Sequence, residues 1–432
     1  MTDSIQDNGV VGAGGAGFPA AVKLRAKAET LIVNAAECEP LLHKDKELLI
    51  HHAGEMFRGL KVAIERVGAR QAVIGIKEKY EAVIRTITEQ APGGVRIHPL
   101  SDTYPAGDEF LLVYDVTGRV IPPGGLPLNV GAVVVNVETL VNIGRGRPVT
   151  HKYLTVAGAV QNPVTLRVPV GTPLGEVIQA AGGATVAEYD VLMGGAMMGR
   201  LASGPDEPIL KTTGGAVVLP RSHGLIARYR LPWSAIYRIG KSACDQCTFC
   251  TELCPRRMLG HPIQPHLAMR ALGFAPAKDQ MIAGTLYCCE CNLCSLFACP
   301  ENLDPKNVCV HDKAIAREKK LQWVGNAADI RPNYLYPARR IPMRRLIQRL
   351  GLAGFRNVGP LEDRPLRPKR VVLPLQQHAG VPSLPVVKAG QRVREGDLLA
   401  APPKGKLGAN IHASIAGTVR EVNGAVTIEA DL

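Results

Sequence analysis

A chain of 432 residues, at roughly 150 residues per domain, holds about three domains. With 46% hydrophobic and 21% charged residues it is neither disordered nor collagen-like, and no run of about 18 uncharged apolar residues is present to span a membrane. The net charge is 51 − 38 = +13, and residues 331–370, with eleven Lys/Arg against two Asp/Glu, carry +9 of it; the remaining +4 argues against a nucleic-acid partner.

Residues 1–8 are polar and lack the basic-then-apolar pattern of a secretory leader, so the expected location is cytoplasmic. Residues 1–150 read as α/β. A glycine-rich turn follows Val10 and Val11, and a helix is expected over 20–27. A short buried strand over 31–33 ends at Asn34. A helix over 48–67, a strand over 71–76 and a helix over 80–90 follow. After the Pro122-Pro123-Gly124-Gly125 loop comes a β-prone run over 131–137. Near His151 the pattern changes. Alternation over 153–160, a turn at Gln161-Asn162-Pro163, alternation over 164–170 and a short helix over 174–181 form a β-rich module spanning 151–235. A cysteine module spans 236–325, and a basic, proline-studded stretch over 326–370 reads as a linker. Residues 371–432 carry short apolar runs split by Gly and Pro, as in a small β-sandwich or barrel.

Ten of the eleven cysteines lie between Cys244 and Cys309. In a chain without a leader this crowding indicates metal or cluster binding rather than disulfides. The first run is Cys244-x2-Cys247-x2-Cys250-x3-Cys254-Pro255, and the second is Cys288-x2-Cys291-x2-Cys294-x4-Cys299-Pro300. The first is the bacterial ferredoxin run, and the second has one extra residue before its last cysteine. Zinc prefers paired CxxC units with longer spacers, so two [4Fe–4S] clusters are expected instead. By the crossover of two-cluster ferredoxins, Cys244, Cys247, Cys250 and Cys299 hold one cluster. Cys288, Cys291, Cys294 and Cys254 hold the other. Cys289 and Cys309 are extra, and Cys289 is an alternative to Cys288. Two clusters pass single electrons and do not handle hydride themselves.

Gly12-Ala13-Gly14-Gly15-Ala16-Gly17 satisfies GxGxxG, with Glu37 twenty residues after Gly17. As a Rossmann fingerprint it is weak, because only nine mostly polar residues remain for the preceding strand. The wider pattern says more. Gly14-Gly15-Ala16-Gly17-Phe18-Pro19 is followed by Lys23, then by Asn34-Ala35-Ala36-Glu37-Cys38-Glu39-Pro40. Tyr104-Pro105-Ala106-Gly107-Asp108-Glu109 and Asn136-Val137-Glu138-Thr139 complete the series. These blocks resemble the flavin-binding subunit of respiratory complex I and the RnfC component of the Rnf electron-transport complex, which bind FMN and oxidise NADH.

The resemblance implies that the amides of Gly12, Gly14, Gly15 and Gly17, beside Phe18, cradle the FMN phosphate, with Lys23 as cation. It implies that Asn34 and Asn136 bond the ribityl chain or the ring, that Thr139 touches phosphate, and that Glu37, Tyr104 and Gly107 complete the cofactor site. Glu39, Asp108 and Glu109 match the acidic residues on the nicotinamide side and are the candidate catalytic residues. The chain departs from the family at Ala36, where an acidic residue is usual, and at Ala26, where an aromatic stacks on nucleotide.

Residues 153–183 resemble an SLBB β-grasp module. Residues 373–422, through His378-Ala379-Gly380, Val387-Lys388-Ala389-Gly390, Gly396 and His412-Ala413-Ser414, resemble the RnfC barrel-sandwich hybrid domain. The expected fold is multidomain α/β plus β: a flavin-binding α/β domain, an SLBB module, a ferredoxin-like module with two clusters and a C-terminal barrel-sandwich domain. That domain order resembles the cobalamin reductases of propanediol-utilisation microcompartments, the PduS type. The resemblance implies a soluble flavo-iron–sulfur oxidoreductase that takes electrons from NADH to oxidised cobalamin. It implies a cobalamin adenosyltransferase, microcompartment proteins or electron-transfer proteins as partners, and a place in the cytoplasm or inside a microcompartment. A non-enzymatic electron-transfer subunit of an Rnf-like complex is the alternative. In the basic stretch, Arg339, Arg340, Arg344, Arg345 and Arg349 interleave with Ile341, Met343, Leu346, Ile347 and Leu350. Such a helix either packs on its own protein or docks on an acidic partner or membrane surface.

Overall fold

The computed structural model describes residues 4–273, 279–364 and 366–431. The N-terminal unit is built on a four-stranded parallel sheet in the order Val95–Leu100, Gln71–Lys77, Thr30–Ala35, Ala132–Asn136. Leu31, Ile32 and Val33 at its centre are fully buried, as parallel strands covered by helices on both faces must be.

The expected helix over 48–67 is two helices, Lys44–His51 and Ala53–Val67, because His52 leaves the helical region at φ −130°. Its ring packs on Tyr153 with centroids 5.5 Å apart. The helix expected over 20–27 is the single turn Ala20–Lys23; beyond it the Lys27 ammonium caps the Arg66 carbonyl at 2.8 Å as the chain turns toward the sheet. The helix Val137–Arg145 follows its strand without a loop, since the Asn136 side chain accepts from the Glu138 N–H at 3.0 Å and caps the helix. It crosses Ala53–Val67 at Gly59 and Gly144, where a side chain on either glycine would strike the other helix's carbonyl oxygens.

The second unit is a six-stranded sheet in the order Leu361–Glu362, Val164–Pro169, His151–Gly158, Gly215–Pro220, Tyr189–Met193, Arg200–Leu201, with the helix Leu174–Ala180 beside it. The cysteine module, from the helix Trp233–Ala243 to the helix Pro305–Glu318, has short helices and no strand among its described residues, and the cysteine runs occupy the loops and short helical turns between them. The C-terminal unit is two small sheets, of four and three strands. They close over Val371, Leu399, Ile411, Val419, Val426 and Ile428, and Val170 of the second unit joins that core.

The stretch read as a linker is built into the fold. Ile341–Pro342 pairs with Thr103–Tyr104 of the first unit, and Leu361–Glu362 extends the sheet of the second. The helix Met343–Arg349 buries Met343 and Leu346 in a core shared with Tyr104, Leu225 and Cys291. Among the described residues no helix is long and apolar enough to cross a membrane.

Candidate active site

A cavity of about 790 Å³ opens at the carboxyl ends of the central strands, where Asn34 and Asn136 pair across the last residues of two neighbouring strands. Ligands of open parallel sheets bind at this edge. The glycine turn forms one wall and is closed by Gly12 N–H donating to the Phe18 carbonyl at 2.9 Å. Gly15, at φ +115°, meets nothing where a side chain would stand, so its backbone faces open space. This bare, positively disposed backbone beside Lys23 suits a phosphate monoester such as that of FMN.

Of the side chains expected here, all but Gly17 and Tyr104 line the cavity. Gly17 instead joins modules: its carbonyl accepts from Ala379 N–H of the C-terminal unit at 3.0 Å. Several lining residues already have partners that define what they do. The Asn34 amide donates to the Gly107 carbonyl at 2.9 Å, and its oxygen accepts from Ala36 N–H at 3.1 Å. It therefore pins the 105–108 loop over the cavity. Asn136 donates to Asp45 at 2.8 Å while capping its helix. Thr139 Oγ1 accepts from Ala13 N–H at 3.0 Å, holding the glycine turn in place.

The acidic residues differ sharply from one another. Glu109 pairs with Lys23 at 3.0 Å, both half-exposed. Asp108 caps the helix Glu109–Thr117 and pairs with Arg256 at 2.8 Å; Arg256 also lies 3.6 Å over the Phe110 ring. Asp108 therefore ties the flavin unit to the residue two after Cys254. Glu39 accepts from the Met197 and Met198 N–H groups at 2.8 and 2.9 Å, and burial pushes its carboxyl up to about 8. Burial and then Asp45 raise the Glu37 carboxyl.

Beneath the glycine turn lies an ion cluster that the sequence pattern did not disclose. Lys44 pairs with Asp45 at 2.8 Å and with Glu138 at 3.0 Å, Lys152 pairs with the same Glu138, and all four are buried. Burial pushes Glu138 up, but Lys152 and Lys44 outweigh it and hold its carboxyl below the usual range. Lys152 also donates to the Ala13 carbonyl at 3.2 Å, so the cluster anchors the turn from below. Met193, Gly199, Arg200 and Thr212 of the second unit close the cavity's far side.

The cysteine runs adopt matching backbones. Gln246 and Thr248 flank Cys247 with φ +58° and +68°, and Glu290 and Asn292 flank Cys291 with +61° and +66°. Four left-handed non-glycine residues at equivalent places turn successive loop segments inward. In this backbone register Cys288 stands where Cys244 does, while Cys289 is the thiol that acts most strongly on Cys254. The thiols lie close enough to feel one another within and between the two runs: Cys254 feels Cys289 before Cys288, and Cys294 feels Cys250 after Cys288 and Cys254. Cys250, raised to about 12 first by burial, also feels Cys244, Cys247 and Cys299. Cys294, raised first by burial, feels Cys288 and Cys254 most strongly. Among the described residues no three of these thiols are already set as a metal site, yet closely placed soft sulfur donors are the chemistry that iron–sulfur clusters take. Cys309, one of the two extra cysteines of the sequence, is buried in the helix Pro305–Glu318 with a free thiol in hydrogen-bond reach of Cys288, which lowers the Cys288 thiol to about 7.

One residue joins the cavity to the cysteine runs. Cys291 lines the cavity, and the Tyr104 hydroxyl donates to its carbonyl at 2.8 Å. Asn292 next to it donates to the Met197 carbonyl at 3.1 Å, beside the Met197 N–H that holds Glu39.

A flavin cavity sharing a residue with a cysteine module is the arrangement of a flavo-iron–sulfur oxidoreductase, and family comparison agrees. The chain matches the Nuo51 FMN-binding domain over residues 5–145, the SLBB domain over 153–201, the 4Fe-4S dicluster domain over 243–304 and the RnfC barrel sandwich hybrid domain over 358–431. It is 44% identical over 429 residues to the cobalamin reductase PduS of Citrobacter freundii and 43% identical over 430 residues to that of Salmonella typhimurium, covering 98% of this chain and 94% of each relative. It is 34% identical over 260 residues to one component of the Na(+)-translocating ferredoxin:NAD(+) oxidoreductase complex of Acetobacterium woodii, covering 57% of this chain and 56% of that one. The chain belongs to the PduS cobalamin reductase family.

Proposed function

We propose that the chain carries electrons from NADH through FMN and two [4Fe–4S] clusters to an external acceptor, oxidised cobalamin, in step with a cobalamin adenosyltransferase. The observation that carries this reading is Cys291, which belongs to a cysteine run and also lines the flavin cavity. FMN, when bound, takes a hydride as two electrons and gives them up singly, and each cluster accepts one.

The chain's own residues divide the remaining work. Gly12, Gly14 and Gly15 present amides to the phosphate, with Gly17 and Phe18 shaping the turn and Lys23 exchanging Glu109 for the anion. Asn34, Asn136 and Thr139 hold the walls through their backbone partners. Glu37, Glu39 and Gly107 border the ring's space, and Glu39 and Glu109 remain the acidic candidates on the nicotinamide side. Tyr104 and Asp108 are positioning residues that bind the flavin unit to the cysteine loops. Cys288, Cys291, Cys294 and Cys254 hold the cluster nearer the flavin; Cys244, Cys247, Cys250 and Cys299 hold the farther one. The relatives' names favour a role in propanediol utilisation, in the cytoplasm or within a microcompartment.

Anaerobic purification with flavin and iron analysis, and a spectrum before and after NADH, tests this. About one FMN and about eight iron atoms per chain, bleached by NADH and reoxidised by cob(III)alamin, is the expected result. Intact clusters that NADH leaves unbleached would overturn the donor. They would favour a subunit fed by a protein partner, as the likeness to an Rnf-type protein suggests.

A further inference from the structure

The helix Met343–Arg349 lies outside the flavin cavity and presents two unlike faces. Met343, Leu346 and Leu350 are buried, while Arg344, Arg345, Gln348 and Arg349 face solvent. Among the described residues Arg344, Arg345 and Arg349 pair with no carboxylate. Arg349 reaches the Cys299 carbonyl at 3.3 Å and Asn302 at 3.0 Å. Before the helix, Arg339 pairs with Glu252 at 3.1 Å, two residues after Cys250. The arginine stretch therefore flanks the Cys244–Cys247–Cys250–Cys299 group at both Cys299 and Glu252. Phe249, within that loop, is 49% exposed and supplies an apolar centre.

We propose that this arginine face is the docking surface for an acidic redox protein that, as a second acceptor beside cobalamin, draws electrons from the cluster held by Cys244, Cys247, Cys250 and Cys299. The inference rests on the two-cluster reading given above. Three observations favour it. The group is the one that does not line the flavin cavity, so it stands on the outlet side. Uncompensated charge of one sign steers an oppositely charged partner and orients it, with a rate that falls as salt rises. A membrane surface would need the helix's apolar face, and that face is buried in the protein core. One electron passes per encounter: the chain is oxidised by one unit, the partner's centre is reduced by one, and no bond forms or breaks.

The probes are cytochrome c, which is basic, and succinylated cytochrome c, which carries the same haem on an acidic surface. Binding of each to the oxidised, cofactor-loaded chain is measured first, with no electron donor present. Haem reduction by the dithionite-reduced chain, freed of excess reductant, is then followed by stopped flow. The acidic form should bind at least tenfold more tightly and be reduced at least tenfold faster at about 0.01 M ionic strength, with the advantage lost near 0.5 M. Arg344→Glu with Arg345→Glu should abolish the preference, and Arg344→Gln with Arg345→Gln should reduce it. Lys404→Glu with Lys406→Glu, an equal charge change on the exposed 404–406 loop, should preserve it. Retention of the preference in the arginine pair overturns the proposal, as does equal loss in the lysine pair. Arginine-dependent flotation with phosphatidylserine vesicles, without preference for the acidic protein, overturns it in favour of a membrane. Because binding needs no NADH, failure of the donor assignment leaves this result intact, and a shortfall in iron would expose failure of the two-cluster reading.

Discussion

The loops Cys244 to Cys250 and Cys288 to Cys294 share a backbone, left-handed at the same two positions, yet one is open and the other enclosed. Asp245 and Phe249 of the first are exposed, whereas Cys291, Asn292, Leu293 and Cys294 of the second are all buried. Tyr104, Met197 and the flavin cavity surround the second; Arg339 and Arg349 border the first. The x2 spacing therefore sets how sulfurs converge, and the neighbours set what each group is for. Hydrogen bonds, burial and solvent access around a cluster also tune its potential, so equal loops need not be equal carriers.

The most severe test of that difference removes one thiol from each loop. Cys294→Ala and Cys250→Ala are each expected to lose one cluster, bringing iron from about eight to about four atoms per chain. Only Cys294→Ala should also abolish bleaching of the surviving cluster by NADH, and equal bleaching in both variants would break the proposed order of the two groups. Next in size is Glu138→Gln, which leaves Lys44 and Lys152 buried beneath the glycine turn without their shared carboxylate. Breaking such a buried pair costs about 3–5 kcal/mol, readable by urea denaturation of the loaded protein. A change below about 1 kcal/mol would mean that Asp45 compensates for it.

Lys23→Met is expected to weaken FMN retention by about tenfold while leaving cluster absorbance unchanged, and full flavin content would remove Lys23 from the phosphate site. Tyr104→Phe deletes the bond to the Cys291 carbonyl and is expected to cost about 1 kcal/mol in thermal unfolding. It should slow NADH-driven cluster reduction more than flavin reduction. The smallest effect is a pH slope. Burial holds the Glu39 carboxyl at about 8, against an ordinary 4.5, so the folded chain keeps a proton that the unfolded chain releases. Stability from this group is complete below about pH 4.5 and falls as pH rises toward 8. Glu39→Gln should flatten that part of the melting-temperature profile, and an unchanged slope would assign it to another group.

The strands at 30–35, 71–77 and 132–136 were readable because β-branched runs in a parallel sheet are apolar on both faces. Three neighbouring elements were not. Glu109–Thr117 is apolar nearly all round, so it carries no helical stripe. Val137–Arg145 begins inside a valine-rich run and is marked only by the Asn136 cap. Val95–Leu100 is an edge strand, half-exposed and carrying Pro99. The site divides in the same way. Its residue types were readable as blocks, but Asn34, Thr139 and Asp108 have tasks visible only through Gly107, Ala13 and Arg256. Lys44 and Lys152 read as surface lysines until their common partner Glu138 is seen.

Cysteine spacing alone was enough to specify two inward-turning loops, because two residues of backbone between thiols leave few conformations that converge. The glycine run at 12–17 likewise specified a turn, and the sequence blocks specified the order of the modules. The tertiary fold alone decided that Cys291 would border the flavin cavity and that the basic stretch would cross three modules. It also decided that four ionised groups would be buried together. Each of these depends on residues tens to hundreds of positions apart, and only the closing of the chain over its cores fixes such distances.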